Sequence, residues 1–255
     1  MSASSSKKRE RPAKSISIKP EHRTTYAVAP DVEYRPNFIS EEVVVRIMES
    51  FKELPFKPTT HVMMNMIVNS SVEYVWVTDT GLPYTFGRTL TEPLQPHSFD
   101  EFPVLKELQK YVEAVTKRSF NSVLVNRYFT GENGLSPHSD DDPWLGKDFI
   151  VPSVSFGQAR TFRVAQKPGV AVDLGQSSPI TVDYLLESGS LLIMGESVQK
   201  YWVHSIPKSK KPMSIRYNLT FRHVHPDLYH SQPKILIPLS SIDMSKYTDK
   251  RRIKE

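Results

Sequence analysis

The sequence predicts an α+β protein, a jelly roll or β-sandwich with helices packed on one sheet. Three observations predict it. Two segments with helical spacing of apolar residues come early. A series of short stretches rich in β-branched and aromatic residues follows, separated by Gly, Pro or Ser clusters. The chain also shows no internal repeat, so a stacked-repeat architecture is excluded.

Residues 1–30 open with "SASSSKKRERPAK", too polar and basic to bury a face, and are read as a disordered tail. Lys7, Lys8, Arg9 and Arg11 in it suit a nuclear import signal, a phosphate-grasping arm or a plain solvated tail. Order is expected from "VEYRPNFIS" onward. Ser40 is placed to cap a helix, Glu41 and Glu42 favour the positive end of its dipole, and Val43, Val44, Ile47 and Phe51 form its apolar face. Asp100 precedes a second helix, "EFPVLKELQKYVEAVTKR", with Phe102, Leu105, Leu108, Val112 and Val115 on one side. The strand signals are "SVLVNRY", "DFIVPSVSF", "RTFRVA", "GSLLIM" and "SIRYNLTF". A C-terminal extension, 231–255, holds "KILIPL" and ends in "DKRRIKE".

Composition narrows the function. The 255 residues, 38% of them hydrophobic, suffice for one domain with a core and tails. The chain has no cysteine, so disulfide frameworks and thiolate metal sites are excluded, and any metal must be held by imidazole and carboxylate. No apolar stretch reaches the length of a membrane span and no signal peptide opens the chain, so the expectation is a soluble intracellular protein. The net charge of +5 permits a nucleic-acid partner without demanding one.

The stretch "LSPHSDDDPW" carries the chemistry. His138 and three consecutive aspartates crowd five positions, which is unfavourable unless a cation lies among them. His138 and Asp140 are two apart, so at a strand end both can reach one ion. His204, in "YWVHSIP", is the third ligand of choice among the eight histidines. Two histidines and one carboxylate with open positions form the facial set of non-haem Fe(II) oxygenases. Arg216 and Arg222 are an even number of residues apart on "SIRYNLTFR", so one face of that strand carries both. Two guanidinium groups facing a core require anions, and a dicarboxylate offers two. Strand-end arginines facing water are the competing reading.

"VLVNRY", "HSDDD", "SVSFG", "GSLLIMG", "YWVHSIP" and "RYNLTFR" occur in an order that resembles the AlkB family of iron- and 2-oxoglutarate-dependent dioxygenases. "LPYTFG" looks like that family's nucleotide-recognition segment. The resemblance spans residues 32–224, and the gaps from His204 to Arg216 and Arg222 resemble the DNA-repair branch. It implies a double-stranded β-helix (jelly-roll) core with N-terminal helices on one sheet. It implies a dioxygenase domain over 31–230, with 56–100 as the nucleotide-recognition segment. Fe(II), 2-oxoglutarate and O2 would be its cofactors. His138, Asp140 and His204 would bind iron and form the catalytic centre. Arg216 would hold the far carboxylate of 2-oxoglutarate and Arg222 would assist its chelating end, with Asn126, Tyr128 and Asn218 completing the pocket.

The same resemblance implies a substrate. An alkylated base such as 1-methyladenine or 3-methylcytosine, in DNA or RNA, would be flipped out or already single-stranded. Phe86 would stack on it, the His138 ring would form the opposite wall, Tyr84 would line the pocket, and Asp142 would accept a hydrogen bond from an exocyclic amine. Asp141 is expected to be solvated or paired. The reaction would be oxidative demethylation, in DNA repair, by a monomer with no membrane contact, in the nucleus or cytoplasm, the basic leader favouring the nucleus. The apolar "MMNMIV" is either a hairpin that wedges into a base stack or a buried strand, which leaves strand preference open. Arg88, Lys117, Arg118, Arg127, Arg160, Arg163 and Lys208 to Lys211 are candidates for phosphate contact. RNA-base or protein oxidation by the same chemistry, and a non-catalytic nucleic-acid-binding module, are the alternatives.

Overall fold

In the computed structural model of the chain, residues 30–63, 66–86, 93–231 and 248–249 are described, residues 60–63, 66–69 and 248–249 by their backbone alone. The expectations for the basic leader, Arg88 and "KILIPL" lie outside the described residues.

Four of the five expected strands of the second half form close to their expected bounds: β5 (Ser122–Tyr128), β7 (Ile150–Gly157), β8 (Arg160–Gln166) and β10 (Leu191–Gly195). The fifth, β12 (Arg216–Arg222), starts two residues late, as β7 and β10 also do. Between them run β6 (Leu135–His138), β9 (Thr181–Leu186) and β11 (Trp202–Ile206). In the larger sheet β10, β7, β12 and β5 lie side by side, and in the smaller the order is β6-β11-β8-β9. From β5 to β12 the chain therefore crosses repeatedly between two antiparallel sheets, which is a double-stranded β-helix.

The N-terminal part enlarges one sheet. β1 (Val32–Arg35) pairs with β10, and β3 (Met66–Thr78) pairs with β5. β2 (Lys57–Met63) forms an antiparallel pair with β3, with Met63 opposite Met66; β4 (Pro96–His97) and β13 (Thr248–Asp249) add to β3 in parallel. Strands thus precede and separate the helices, unlike the expected order of helices then strands. The described backbone of "MMNMIV", residues 63 and 66–68, lies in the paired strands β2 and β3, and the side chains that would decide between wedge and burial are outside the described residues. Short helices α3 (Pro168–Asp173), α4 (Glu196–Tyr201) and α5 (Pro226–His230) connect the later strands and follow β12.

The first long helix, α1 (Glu41–Ser50), buries Val44 and Ile47, and the turn after it buries Phe51. Ser40 stands at the cap position but makes no side-chain capping bond; its carbonyl accepts from the Val44 N–H. The second, α2 (Pro103–Thr116), starts later than expected. Asp100 lies instead in a single 3-10 turn, Phe99–Glu101, closed by a capping box in which Ser98 and Glu101 exchange hydrogen bonds. Pro103 then opens the helix, where its missing N–H costs nothing.

Period-two alternation sorts the β5 and β12 side chains. Val123, Val125, Tyr217, Leu219 and Phe221 meet Phe51, Leu105, Leu108 and Val112 of the helices in one core. Phe51 places its ring edge-on to Phe156 at 5.2 Å. Leu124 and Tyr128, on the other face, meet Phe162, Val164, Leu186 and Trp202 of the smaller sheet. The polar residues of that inner face, Asn126, Arg216, Asn218 and Arg222, are buried between the sheets. No helix among the described residues is long and apolar enough to cross a membrane.

Candidate metal centre

β6 and β11 are antiparallel neighbours, with His138 directly opposite His204. Their rings lie 4.3 Å apart between centroids. Asp140 follows in the loop after β6, held by its backbone N–H, which donates to Gln199 Oε1 at 2.8 Å. The ligand atoms of His138, Asp140 and His204 all lie within 4.8 Å of one another, and this is the only such group among the described residues. His138 Nδ1 faces the Ser136 carbonyl at 2.8 Å, which makes it the donor and leaves Nε2 free as a ligand. Phe162 stacks on the His204 ring at 5.3 Å and fixes its plane.

Electrostatics prepares the site for a cation. Burial opposes charge on Asp140, but Arg222, donating at 3.0 Å, and the two imidazoles outweigh it and hold the carboxyl below its ordinary range. Burial lowers His204 to about 3, with His138 adding and Asp140 opposing, so its ring is neutral at physiological pH. A carboxylate and two imidazoles gathered within 4.8 Å of one another are the donors Fe(II) takes in a facial set.

Beside it lies a cluster of buried cationic and polar side chains. Register sets Arg216 opposite Tyr128 and Asn218 opposite Asn126 across β12 and β5. Arg216 is 1% exposed; its Nη2 donates to Ser155 Oγ at 3.1 Å, and its guanidinium also interacts with the Tyr128 hydroxyl. Among the described residues, its Nε and Nη1, the Tyr128 hydroxyl, Asn126 Oδ1 and Arg222 Nε are buried with no hydrogen-bond partner of ordinary geometry. Asn218 donates to Ser153 Oγ at 2.7 Å and the Val154 carbonyl at 3.2 Å. Orphaned guanidinium donors in a core are costly alone and are satisfied by a carboxylate. The donor set therefore fits a dicarboxylate keto acid next to a metal.

The expected base-facing residues form an aromatic wall. Tyr84 is buried, 4.9 Å from Trp76 and 5.0 Å from Phe86, and Phe86 meets Tyr74 at 4.7 Å. The Arg222 guanidinium lies 5.6 Å from the Tyr84 ring centroid, which links this wall to the metal centre. Burial pushes the Asp142 carboxyl up to about 7, against Arg222 and with Asp140. Asp141 is exposed, as expected.

Several expected phosphate contacts are otherwise engaged. Arg160 is buried and donates to backbone carbonyls. Arg127 bonds Glu73 at 3.0 Å and lies over the Phe56 ring. Arg163 holds Asp183 through two bonds, at 2.8 and 2.7 Å. Lys117, Arg118, Lys208, Lys210 and Lys211 are exposed. Sequence reasoning missed Gln199, Ser153, Ser155 and Phe162. The alternation of "VPSVSF" could have found the two serines; nothing in the sequence singles out Gln199.

Comparison with known proteins gives consistent matches. The sequence model of the 2OG-Fe(II) oxygenase superfamily matches residues 31–222. The human alpha-ketoglutarate-dependent dioxygenase alkB homolog 3 is 35% identical over 193 residues, covering 75% of this chain and 65% of the relative. The human DNA oxidative demethylase ALKBH2 is 36% identical over 146 residues, covering 57% of this chain and 54% of the relative. The chain thus spans less than two thirds of the length of these curated relatives. A solved structure described as "The structure of OsALKBH1" overlays with a TM-score of 0.48 at 19% identity, covering 76% of this chain and 98% of that one.

Proposed function

The chain belongs to the 2OG-Fe(II) oxygenase superfamily, among the AlkB homologues, and from that premise we propose that it oxidatively demethylates alkylated bases in nucleic acid. The observation that carries the proposal is the adjacency of the His138, Asp140 and His204 cluster to a pocket of orphaned guanidinium donors. A relative's name, DNA oxidative demethylase, supports a nucleic-acid substrate.

When bound, Fe(II) and 2-oxoglutarate supply the oxidising chemistry: O2 is consumed, the keto acid becomes succinate and CO2, and a base N-methyl group is hydroxylated and lost as formaldehyde. The protein's part is positional. His138, Asp140 and His204 hold the metal from one side. Arg216 and Tyr128 grip the distal carboxylate, and Arg222, Asn126 and Asn218 orient the other end. Arg222 also neutralises Asp140, so the pocket holds its anions without net repulsion. Tyr84 and Phe86 offer flat apolar surface to a flipped base, which stacking stabilises by about 1–3 kcal/mol. Asp142 accepts from an exocyclic amine and, when ionised, favours a cationic alkylated base over its neutral parent. The reading includes residues 31–230 as one catalytic domain acting as a monomer on DNA or RNA. It also includes a location in the nucleus or cytoplasm, the basic leader favouring the nucleus.

The test is formaldehyde release from oligonucleotides carrying 1-methyladenine or 3-methylcytosine, as single- and double-stranded DNA and RNA, with Fe(II), ascorbate and 2-oxoglutarate. Release tied to one polymer names the substrate. Succinate formed with none of them moves the chemistry to another base or a protein. Cofactor binding with no turnover leaves a binding module. Activity retained in Asp140→Ala refutes the site assignment.

A further inference from the structure

Arg160 begins β8, outside the metal centre, yet it is 3% exposed and pairs with no carboxylate among the described residues. Its guanidinium is spent on four backbone carbonyls. Nη1 donates to Thr130 at 3.2 Å, and Nη2 is shared among Gly131 at 3.3 Å, Asn133 at 2.8 Å and Pro207 at 2.9 Å. A buried cation without an anion is expensive, so its placement calls for a purpose.

The carbonyls belong to two loops. Residues 129–134 join Tyr128, at the end of β5, to the strand that carries His138. Residues 207–215 join the strand that carries His204 to Arg216. Each loop therefore runs from one half of the site to the other. They also touch directly: the Ser209 N–H donates to the Gly131 carbonyl at 2.8 Å. A Cβ at Gly131 would come within 2.6 Å of the Ser209 and Lys211 carbonyls. The Arg160 guanidinium lies 5.9 Å from the Tyr128 ring centroid, and that of Arg216 lies 5.0 Å from the same centroid.

We infer that Arg160 is a positioning residue for the cosubstrate pocket: by fastening the 129–134 and 207–215 loops together it fixes Tyr128 against Arg216. The inference rests on the reading of Arg216 and Tyr128 as the 2-oxoglutarate pocket. Only a planar fork with several donors spans carbonyls on two loops, so a lysine ammonium at this position keeps the charge and loses the fastening.

The test measures 2-oxoglutarate affinity by calorimetry, with Mn(II) as the metal probe, in wild type, Arg160→Lys, Tyr128→Phe and the double variant. Mn(II) affinity and Tm are measured alongside. Arg160→Lys is expected to raise the 2-oxoglutarate Kd on the order of tenfold, with Mn(II) affinity close to wild type and Tm lowered by the lost hydrogen bonds. In the Tyr128→Phe background the same change is expected to cost much less. Gly131→Ala, which parts the loops without touching Arg160, is expected to reproduce the loss, and it is read by the same criteria if Arg160→Lys does not fold. An unchanged Kd, additive effects in the double variant, or a loss of both affinities in step with Tm overturns the inference. Failure of the wild type itself to bind 2-oxoglutarate overturns the pocket reading instead.

Discussion

Replacing Arg222 by methionine separates the structural from the metal-linked part of the site. Arg222 is 2% exposed and donates to Asp140 Oδ1 at 3.0 Å, while the other carboxylate oxygen lies 3.7 Å from His204 Nε2. Because burial keeps the His204 ring neutral, Arg222 is the main counter-charge of Asp140 when no metal is bound. Methionine preserves most of the length and removes the charge. Breaking a buried pair by deleting one partner costs about 3–5 kcal/mol, and Asp140 can take up a proton, so the lower end applies. For a domain of about 150–250 residues each kcal/mol moves Tm by about 2–4 °C, so the metal-free variant should melt about 6–12 °C below wild type. A bound divalent cation supplies the missing charge, and without the guanidinium beside its ligand it meets less repulsion. Metal at about 1,000 times Kd adds about 4 kcal/mol to a protein that binds it, and the variant should gain more than wild type. Scanning calorimetry in EDTA and in saturating Mn(II) reads both quantities. An equal Tm deficit under the two conditions, or none in EDTA, would refute the reasoning.

Arg216→Ala should weaken 2-oxoglutarate binding by about 3 kcal/mol, roughly a hundredfold, because two charge-assisted bonds to a carboxylate are lost; calorimetry checks this, and a change below threefold contradicts it. Phe86→Ala should lower affinity for alkylated oligonucleotide by about 1–3 kcal/mol while cofactor affinities hold; fluorescence anisotropy and metal titration in parallel separate the two. Gln199→Leu removes the acceptor of the Asp140 N–H and should reduce Mn(II) affinity by about 10- to 100-fold, measured by titration followed with electron paramagnetic resonance.

The parts of the fold readable in the sequence were those with one-sided patterning. "VLVNRY" and "RYNLTFR" alternate between an apolar face toward the helices and a polar face toward the site, so both strands and their inward-facing polar residues could be read together. β3 could not. Tyr74 and Trp76 are buried on one face and Val75 and Val77 on the other, so the period-two contrast disappears. β6 was too short, four residues with a proline inside. The start of α2 was misplaced because Ser98 and Glu101 build a complete cap for a single turn that precedes the helix. The basic residues were the least legible: Arg127, Arg160 and Arg163 carry no local mark that separates a phosphate contact from a structural bond. Their partners, Glu73, the Thr130 and Pro207 carbonyls and Asp183, come from elsewhere in the chain.

The most direct test is an anomalous-difference map from crystals of the protein soaked in Mn(II) and 2-oxoglutarate. One peak per chain is expected at bonding distance from His138 Nε2, an Asp140 oxygen and His204, with keto-acid density reaching the Arg216 guanidinium. A peak elsewhere, or none between the two imidazoles under conditions that saturate binding in solution, contradicts it.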